Sequence, residues 1–404
     1  MKRAPLTLSD QETKKTKKDH PFFDMNSRKA IQWLNVFESV LIAKSKAAAI
    51  ASPKIAAFDL DGTLIATKKG NVFAKDQYDW RWWDPTVKKR LEQLHQEGYN
   101  IVVFSNQNGL KSEKTTQIFK LKVEAILNQL NFPVLLMAAL KKDKYRKPMT
   151  GMWDYITQNQ EINREQSFYV GDAAGRKQGW KKNHKQDHST ADRKFAANVG
   201  IQFHTPEEYF LNEAQAEFEW RGFHAEGYLA SSLPLHSPDT TPIAIEDHQE
   251  MIVCVGYPAC GKTSFVKKHL VPKGYVHVNQ DTLKTRLNCI KAVQEALHNK
   301  QSVVIDNTNP DRSTRDTYIK MANLSGVPIR CFYFGDNEDL AQHNNLYRAI
   351  YHSSRDVISS IVFRIFKSKL EIPQPEEGFQ EVKCINFAFD GSEEDKKRWS
   401  QWWH

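Results

Sequence analysis

Two sets of residues in this 404-residue chain have the types and spacing that phosphoryl-transfer chemistry requires. The first is Gly256-Tyr-Pro-Ala-Cys-Gly-Lys-Thr263, entered from the apolar run Met251–Val255 and left through an amphipathic stretch ending near Leu270. Gly256 and Gly261 let backbone N–H groups turn inward, and the start of a helix favours negative charge. Lys262 can reach β- and γ-phosphates, and Thr263, with Ser264 beside it, can hold Mg²⁺. A phosphate-binding loop between strand and helix predicts a nucleoside triphosphate ligand, ATP for a kinase. The second set lies upstream. Phe58-Asp-Leu-Asp-Gly-Thr-Leu-Ile65 places Asp59 and Asp61 two residues apart, a spacing that in an extended strand turns both carboxylates to one side. One can attack phosphorus to give an aspartyl-phosphate while the other protonates the leaving oxygen and later activates water. Two carboxylates facing a phosphate repel it, so a divalent cation is expected, held by Asp59, Asp61 and a further acid.

The elements that must position these groups follow from periodicity. Lys54–Phe58, Asn100–Phe104, Val134–Ala139 and Gln166–Val170 read as strands. Pro85–Gly98, Ser112–Leu130 and Thr150–Asn159 read as helices, an alternation that implies a parallel sheet flanked by helices. Ligands bind such sheets at the carboxyl ends of the strands. There the sequence offers Ser105 as a phosphoryl hydrogen-bond donor, Lys147 in Lys144-Tyr-Arg-Lys-Pro148 as a charge-neutralising lysine, and Asp172 in Val170-Gly-Asp-Ala-Ala-Gly-Arg176 as the acid completing the Mg²⁺ site. From about 27 to 46, Ile31, Leu34, Val36, Phe37 and Leu41 have roughly helical spacing and predict a surface-packed helix or irregular segment.

After the phosphate-binding loop the pattern predicts strands at 275–279, 301–305 and 328–334, helices at 262–270, 282–299 and 311–325, and helical segments onward to the C-terminus. Asp281, beyond the end of Tyr275-Val-His-Val-Asn279, is the candidate base for a hydroxyl acceptor. Asp306, ending Ser302-Val-Val-Ile-Asp306, is the candidate acid for Mg²⁺ or its water shell; helix capping is the alternative for both. Among Arg312, Arg315, Arg330 and Arg348, the second and fourth are favoured to cover ATP, although surface ion pairs account for such residues equally well.

A net charge of +9 suits a polyanionic partner without establishing one. Five scattered cysteines without Cys-x-x-Cys spacing indicate neither a disulfide framework nor a zinc site and fit a reducing compartment. The longest apolar run, Phe132–Leu140, is too short to span a bilayer, so no membrane association is expected. Lys14-Lys-Thr-Lys-Lys18 reads as a nuclear import signal, a nucleic-acid-binding arm or a solvated tail. In the Trp80–Trp83 cluster, Trp82 or Trp83 can stack on a nucleobase, but packing of the tryptophans against the domain core or the other domain is preferred. His184 and His188 lack further ligands for zinc, and their basic loop reads as a possible phosphate-backbone contact.

The order Asp59, Asp61, Ser105, Lys147, Asp172 resembles the haloacid-dehalogenase-like phosphatase superfamily. Its last motif often carries a second acid where this chain has Ala173 and Ala174; Asp192 is the substitute available. Together with Gly256–Thr263, Tyr275–Leu283, Asp306-Asn-Thr-Asn-Pro-Asp311 and Gln342-His-Asn-Asn345, the chain is similar to eukaryotic bifunctional polynucleotide kinase 3′-phosphatases over about residues 50 to 390. The resemblance implies two α/β parallel-sheet domains, a phosphatase domain (26–225) and a P-loop kinase domain (250–404); composition marks residues 1–25 as a disordered basic tail, and the turn formers before the second domain mark 226–249 as a linker. It implies removal of 3′-phosphates and phosphorylation of 5′-hydroxyls at DNA strand ends, with Mg²⁺ and ATP, in a nuclear monomer. Vertebrate members carry an N-terminal forkhead-associated domain that the first 50 residues here cannot contain, so phosphopeptide recruitment through it is not expected. Relatives tend to have Gly-Ala where this loop has Ala259-Cys260, with little loss expected. A small-molecule phosphatase joined to a small-molecule kinase, an RNA-end-healing enzyme and a non-catalytic strand-end scaffold are the rival readings.

Overall fold

The structure, a computed structural model, describes residues 31–45, 52–70, 74, 76–239, 241–351 and 356–403. The basic cluster Lys14–Lys18 and the tail to residue 25 lie outside them. The chain divides into two compact units between Glu219 and Trp220.

The first unit runs β1 (Gln32–Phe37), β2 (Val40–Lys44), β3 (Ile55–Phe58), β4 (Ile65–Ala66), β5 (Arg81–Trp82), α1 (Thr86–Gln96), β6 (Asn100–Asn106), α2 (Glu113–Leu127), β7 (Val134–Ala139), α3 (Gly151–Thr157), β8 (Phe168–Val170), α4 (Ala191–Val199), β9 (Gln202–His204) and α5 (Pro206–Leu211). Its seven-stranded sheet has the order β1-β2-β7-β6-β3-β8-β9, parallel from β7 to β9. Alternation along the strands builds a core on each face. Ala56, Phe58, Ile101 and Val103 pack with α1 and α2 through Val87, Leu91, Phe119 and Val123. Ile55, Ala57, Val102 and Phe104 pack with α3 and α4 through Met152, Trp153, Phe195 and Val199. Both faces are buried, as a parallel sheet requires.

The expectation for residues 27 to 46 is corrected. From Gln32 onward they form an antiparallel β1–β2 hairpin that adds β2 to β7 at the sheet edge. Val40 and Ile42 face one core, Leu41 and Ala43 the other. A strand buried on both sides has no period of two, and its apolar residues imitate helical spacing. Of the tryptophan cluster, Trp80 belongs to the core, Trp82 and Trp83 pack against it, and Trp82 donates its ring N–H to Gln129 (2.9 Å).

The second unit contains α6 (Ala225–Ala230), β10 (His236–Ser237), β11 (Met251–Val255), α7 (Lys262–His269), β12 (Val276–Val278), α8 (Gln280–Leu283), α9 (Arg286–His298), β13 (Val303–Ile305), α10 (Arg312–Ser325), β14 (Ile329–Tyr333), α11 (Glu338–Tyr351), α12 (Ser360–Lys369), β15 (Glu381–Ile385) and α13 (Glu393–Trp399). The sheet order is β10-β15-β14-β11-β13-β12, parallel except for β10. Val253 and Val255 of β11 face Val293 and Ile319 of α9 and α10; Ile252 and Cys254 face Val266, Phe363 and Phe366 of α7 and α12. The single helix expected at 282–299 is two, because Lys284 adopts a left-handed conformation (φ 71°) and Thr285 then caps α9. The helical tail is interrupted by β15. That strand is masked in sequence by Lys383, fully buried with its ammonium on the carbonyls of Pro238 (2.7 Å) and Thr241 (3.0 Å). The segment 226–249 also carries regular structure: Leu235, Ile243 and Ala244 pack against the second core, and β10 pairs with β15.

Among the described residues no helix is long and apolar enough to cross a membrane. Arg330 on β14 is buried. Its guanidinium donates to both carboxylate oxygens of Glu250 (2.6 Å each) and to the carbonyls of Pro242 and Ile243 (2.8 Å each). Arg330→Met leaves Glu250 buried without this cation and costs the second unit about 3–5 kcal/mol; a urea titration checks this, and an unchanged midpoint contradicts it.

Candidate active sites

In the first unit the candidate groups converge beyond the carboxyl ends of β3, β6 and β8. The chain continues from Phe58 into Asp59, whose N–H donates to the Val170 carbonyl (2.8 Å) and so keeps it in the sheet. The turn that follows requires glycine: Gly62 has φ +83°, and a Cβ there would lie 2.6 Å from the Asp172 carboxylate. A Cβ on Gly171 would lie 2.5 Å from the carboxyl of Asp192. These close approaches bring Asp59, Asp172 and Asp192 together, with ligand oxygens within 4.8 Å of one another.

Lys147 is held by a reciprocal pair with Asn106 at the end of β6, backbone N–H to side-chain oxygen and amide to backbone oxygen, both 3.0 Å. Its ammonium donates to Asp59 (2.6 Å), Asp192 (2.7 Å) and Tyr169 Oη (2.7 Å). Burial pushes the Asp59 carboxyl up to about 7 against the opposing pull of Lys147, with Asp192 and Asp61 adding to the rise. Burial, then Asp59 and Asp192, push Asp172 well above the usual carboxylate range. Burial acts to lower Lys147, but the charges of Asp192 and Asp59 hold it above the ordinary lysine value. Three carboxyl groups share one ammonium, and the upward shifts of Asp59 and Asp172 show how poorly that single cation compensates them in a buried pocket. That donor set fits a divalent cation.

Asp61 is corrected as a side-chain member of this cluster. It lies past the strand in a bridge to Ile65, and its oxygens accept from Lys122 (3.1 Å) and Gln107 (2.6 Å). With 45% of its side chain exposed, it stands at the open side of the site. Ser105, buried at the end of β6, accepts from the same Gln107 amide (2.9 Å). Asp192, rather than Asp61, is the third acid that the fold sets beside Asp59 and Asp172; it opens α4 and accepts the Ala173 N–H (3.0 Å). Arg176 donates to the Asp172 carbonyl (3.2 Å) while bound to Asp187 and Glu207. Lys122 and Tyr169 gave no signal in the sequence, one lying mid-helix and the other inside an apolar strand; Gln107 follows Ser105 directly. His184 and His188 join no group of metal-binding side chains among the described residues.

In the second unit Gly256–Gly261 bend between β11 and α7. Lys262 is buried and donates to the carbonyls of Gly256 (2.9 Å) and Tyr257 (2.6 Å). Ala259 takes a left-handed backbone (φ 65°), at a cost of about 1–2 kcal/mol for a residue with a Cβ. Thr263 donates to Asp306 Oδ2 (2.7 Å), as do His277 (2.8 Å) and Asn279 (3.1 Å), while the buried Asp306 Oδ1 has no hydrogen-bond partner. Ser264 is exposed in the first turn of α7. Asp281 is exposed on α8, its N–H capped by the Asn279 side chain (2.9 Å). Arg315, expected over ATP, is fully buried instead: both ends of its fork reach Glu377 (2.7 Å each), and Nη1 reaches the carbonyls of Asn309 (3.2 Å) and Pro310 (2.8 Å). It braces the loop after Asp306. Arg348 lies on α11 with a contact to Asn345 (3.4 Å). The sequence did not single out His277 and Asn279, although residues two apart along β12 and its extension share a face.

Comparison with known proteins follows this division. Residues 54–210 match the family described as polynucleotide kinase 3 phosphatase, and residues 251–373 match an AAA domain. The chain is 42% identical over 379 residues to the "Bifunctional polynucleotide phosphatase/kinase" of Schizosaccharomyces pombe, covering 92% of this chain and 88% of the relative. It is 33% identical over 376 residues to the "Putative bifunctional polynucleotide phosphatase/kinase" of Acanthamoeba polyphaga mimivirus, covering 86% and 88%. A polynucleotide 3′-phosphatase of Arabidopsis thaliana is 32% identical over 227 residues, covering 52% of this chain and 30% of that protein. With both units spanned by one alignment at this identity, the chain belongs to the bifunctional polynucleotide phosphatase/kinase family.

Proposed function

We propose that the chain hydrolyses 3′-phosphates and phosphorylates 5′-hydroxyls of DNA strand ends, preparing breaks for ligation in the nucleus. The observation that carries the reading is the pairing of two phosphoryl-transfer sites in one chain: Asp59 on Lys147 beside Asp172 and Asp192, and Lys262 in its loop beside the Thr263–Asp306 pair. In the first site the ionised Asp59 attacks the phosphorus of the 3′-phosphate. The P–O bond to the sugar breaks, Asp61 protonates the departing 3′-oxygen, and an aspartyl-phosphate remains. Asp61 then takes a proton from water, which attacks phosphorus and frees phosphate and Asp59. Lys147 holds Asp59 in place, and Ser105 donates to a phosphoryl oxygen. Bound among Asp59, Asp172 and Asp192, Mg²⁺ would neutralise carboxylate and phosphoryl charge.

In the second site Asp281 accepts the proton of a 5′-hydroxyl as its oxygen attacks the γ-phosphorus of ATP, with ADP leaving. Lys262 exchanges the Gly256 and Tyr257 carbonyls for the β- and γ-phosphates. Thr263 and the unpartnered Oδ1 of Asp306 suit Mg²⁺ and its water shell. Arg348 is kept as a residue contacting ATP.

Separate inactivation tests the two-site reading. Asp59→Asn lowers 3′-phosphatase turnover by about three orders of magnitude or more and spares the kinase, and Lys262→Ala does the reverse. An end-labelled oligonucleotide assay reads both, and loss of both activities in either folded variant contradicts it. The raised Asp59 value gives a second test. A carboxyl raised in the fold favours folding at acid pH, and that contribution is lost as pH rises through about 7. Mg²⁺ binds the ionised form, so its increase in the unfolding midpoint over EDTA grows from about pH 6 to about pH 8. A gain independent of pH, or one retained in Asp192→Asn, contradicts the acid cluster as the cation site.

A further inference from the structure

We propose that His277 and Asn279 are positioning residues for phosphoryl transfer in the second unit: together they aim Asp306, and Asn279 ties it to Asp281. The inference rests on the reading of Thr263, Asp306 and Asp281 as kinase groups. β12 runs parallel to β13, and the ladder continues past both strands, since the Asp306 N–H donates to the Val278 carbonyl (2.8 Å). Val278 is buried in the core. Alternation therefore turns His277 and Asn279 to the opposite face, where Asp306 follows β13.

The hydrogen bonds are unequal in a way that selects one oxygen. Asp306 Oδ2 accepts from Thr263 Oγ1 (2.7 Å), His277 Nε2 (2.8 Å) and Asn279 Nδ2 (3.1 Å). Oδ1 of the same buried carboxylate accepts from none. A buried acceptor left alone costs about 1–3 kcal/mol, more when charged, so a carboxylate free to rotate would share the donors between its oxygens. Three donors on Oδ2 prevent that rotation and reserve Oδ1 for a group the chain does not supply. The second role belongs to Asn279. Its Nδ2 also donates to the Asp306 backbone carbonyl (2.7 Å), while its Oδ1 accepts the Asp281 N–H (2.9 Å). A flipped amide would set oxygen against oxygen at Asp306 and nitrogen against N–H at Asp281, so this orientation alone satisfies every contact. A single planar carboxamide thus spans from the Asp306 main chain and carboxylate to the backbone of Asp281. Ordinary helix capping explains the bond to Asp281 but neither bond to Asp306.

Asn279→Ser separates these roles, because serine keeps a cap for α8 and lacks the amide that reaches Asp306. His277→Ala removes one donor, and His277→Gln returns one. Three readouts are compared with the phosphatase activity of the same chain: kcat against KM for ATP, the Mg²⁺ concentration for half-maximal kinase rate, and the rise in unfolding midpoint with ATP in Mg²⁺ or in EDTA. Asn279→Ser and His277→Ala are expected to lower kcat about tenfold to a hundredfold and raise the Mg²⁺ requirement severalfold, with KM for ATP little changed. The Mg²⁺-dependent part of the ATP midpoint shift shrinks while the EDTA part stays, and His277→Gln recovers part of both losses. Unchanged Mg²⁺ dependence in both variants, or a loss of rate that only follows a lower unfolding midpoint, overturns the proposal. If the unaltered chain phosphorylates no 5′-hydroxyl, the kinase reading fails, and the Mg²⁺-dependent midpoint shift still decides whether these residues aim Asp306.

Discussion

Lys147 places a buried ammonium 2.6 Å from Asp59 and 2.7 Å from Asp192. Removing such charges from water costs several kcal/mol per ion, and the cost is offset only where partners are close and well aligned. The first unit is arranged to meet that condition. Asn106 holds the Lys147 backbone from the end of β6, Tyr169 on β8 adds a hydroxyl to the ammonium, and α4 delivers Asp192 from the far side. Gly62 and Gly171 supply the room that lets the carboxylates close in. One lysine cannot hold three carboxylates ionised together, and a divalent cation among their oxygens would favour the ionised forms and suit the pocket to a phosphate.

The second unit surrounds its buried carboxylate with a different set of donors. Among the described residues no lysine ion-pairs with Asp306; a threonine, a histidine and an asparagine share one of its oxygens. Lys262, the cation of that site, rests on loop carbonyls. Both units put their chemistry beyond the carboxyl ends of parallel strands, where the ladder stops and side chains at successive strand ends face a common opening. Under the proposed function, the carboxylate in the first unit is covalently phosphorylated, whereas the one in the second only helps orient a reactant. That difference accords with the lysine being fixed on the carboxylate in one case and kept for the nucleotide in the other.

Much of this was legible in the sequence because each reactive residue follows a short apolar run: Asp59 after Ile55–Phe58, Ser105 within β6, Asp172 just after Val170, and the phosphate loop after Met251–Val255. What escaped was set by three-dimensional packing. Lys122 reads as one of several lysines along an amphipathic helix, and only the fold turns it onto Asp61. Arg315 has the composition of a surface or ligand-binding residue, yet Glu377, far along the chain, holds it inside. The β1–β2 hairpin and β15 were lost for opposite reasons, the first because it is apolar on both faces, the second because its central lysine is buried on carbonyl oxygens. Asp192 was legible as the available substitute for the second acid of the Asp172 motif, while its bond to Lys147 became visible only in the fold.

The central claim is that one chain acts on both ends of a broken polynucleotide strand. The most direct measurement gives the protein MgATP and an oligonucleotide bearing a 3′-phosphate and a 5′-hydroxyl, in parallel with sugar phosphates and free sugars, and follows phosphate release and γ-phosphoryl transfer together. The account predicts turnover at both ends of the oligonucleotide, with kcat/KM at least about a hundredfold above that for the small molecules. Equal or faster turnover of sugar phosphates and free sugars would contradict it.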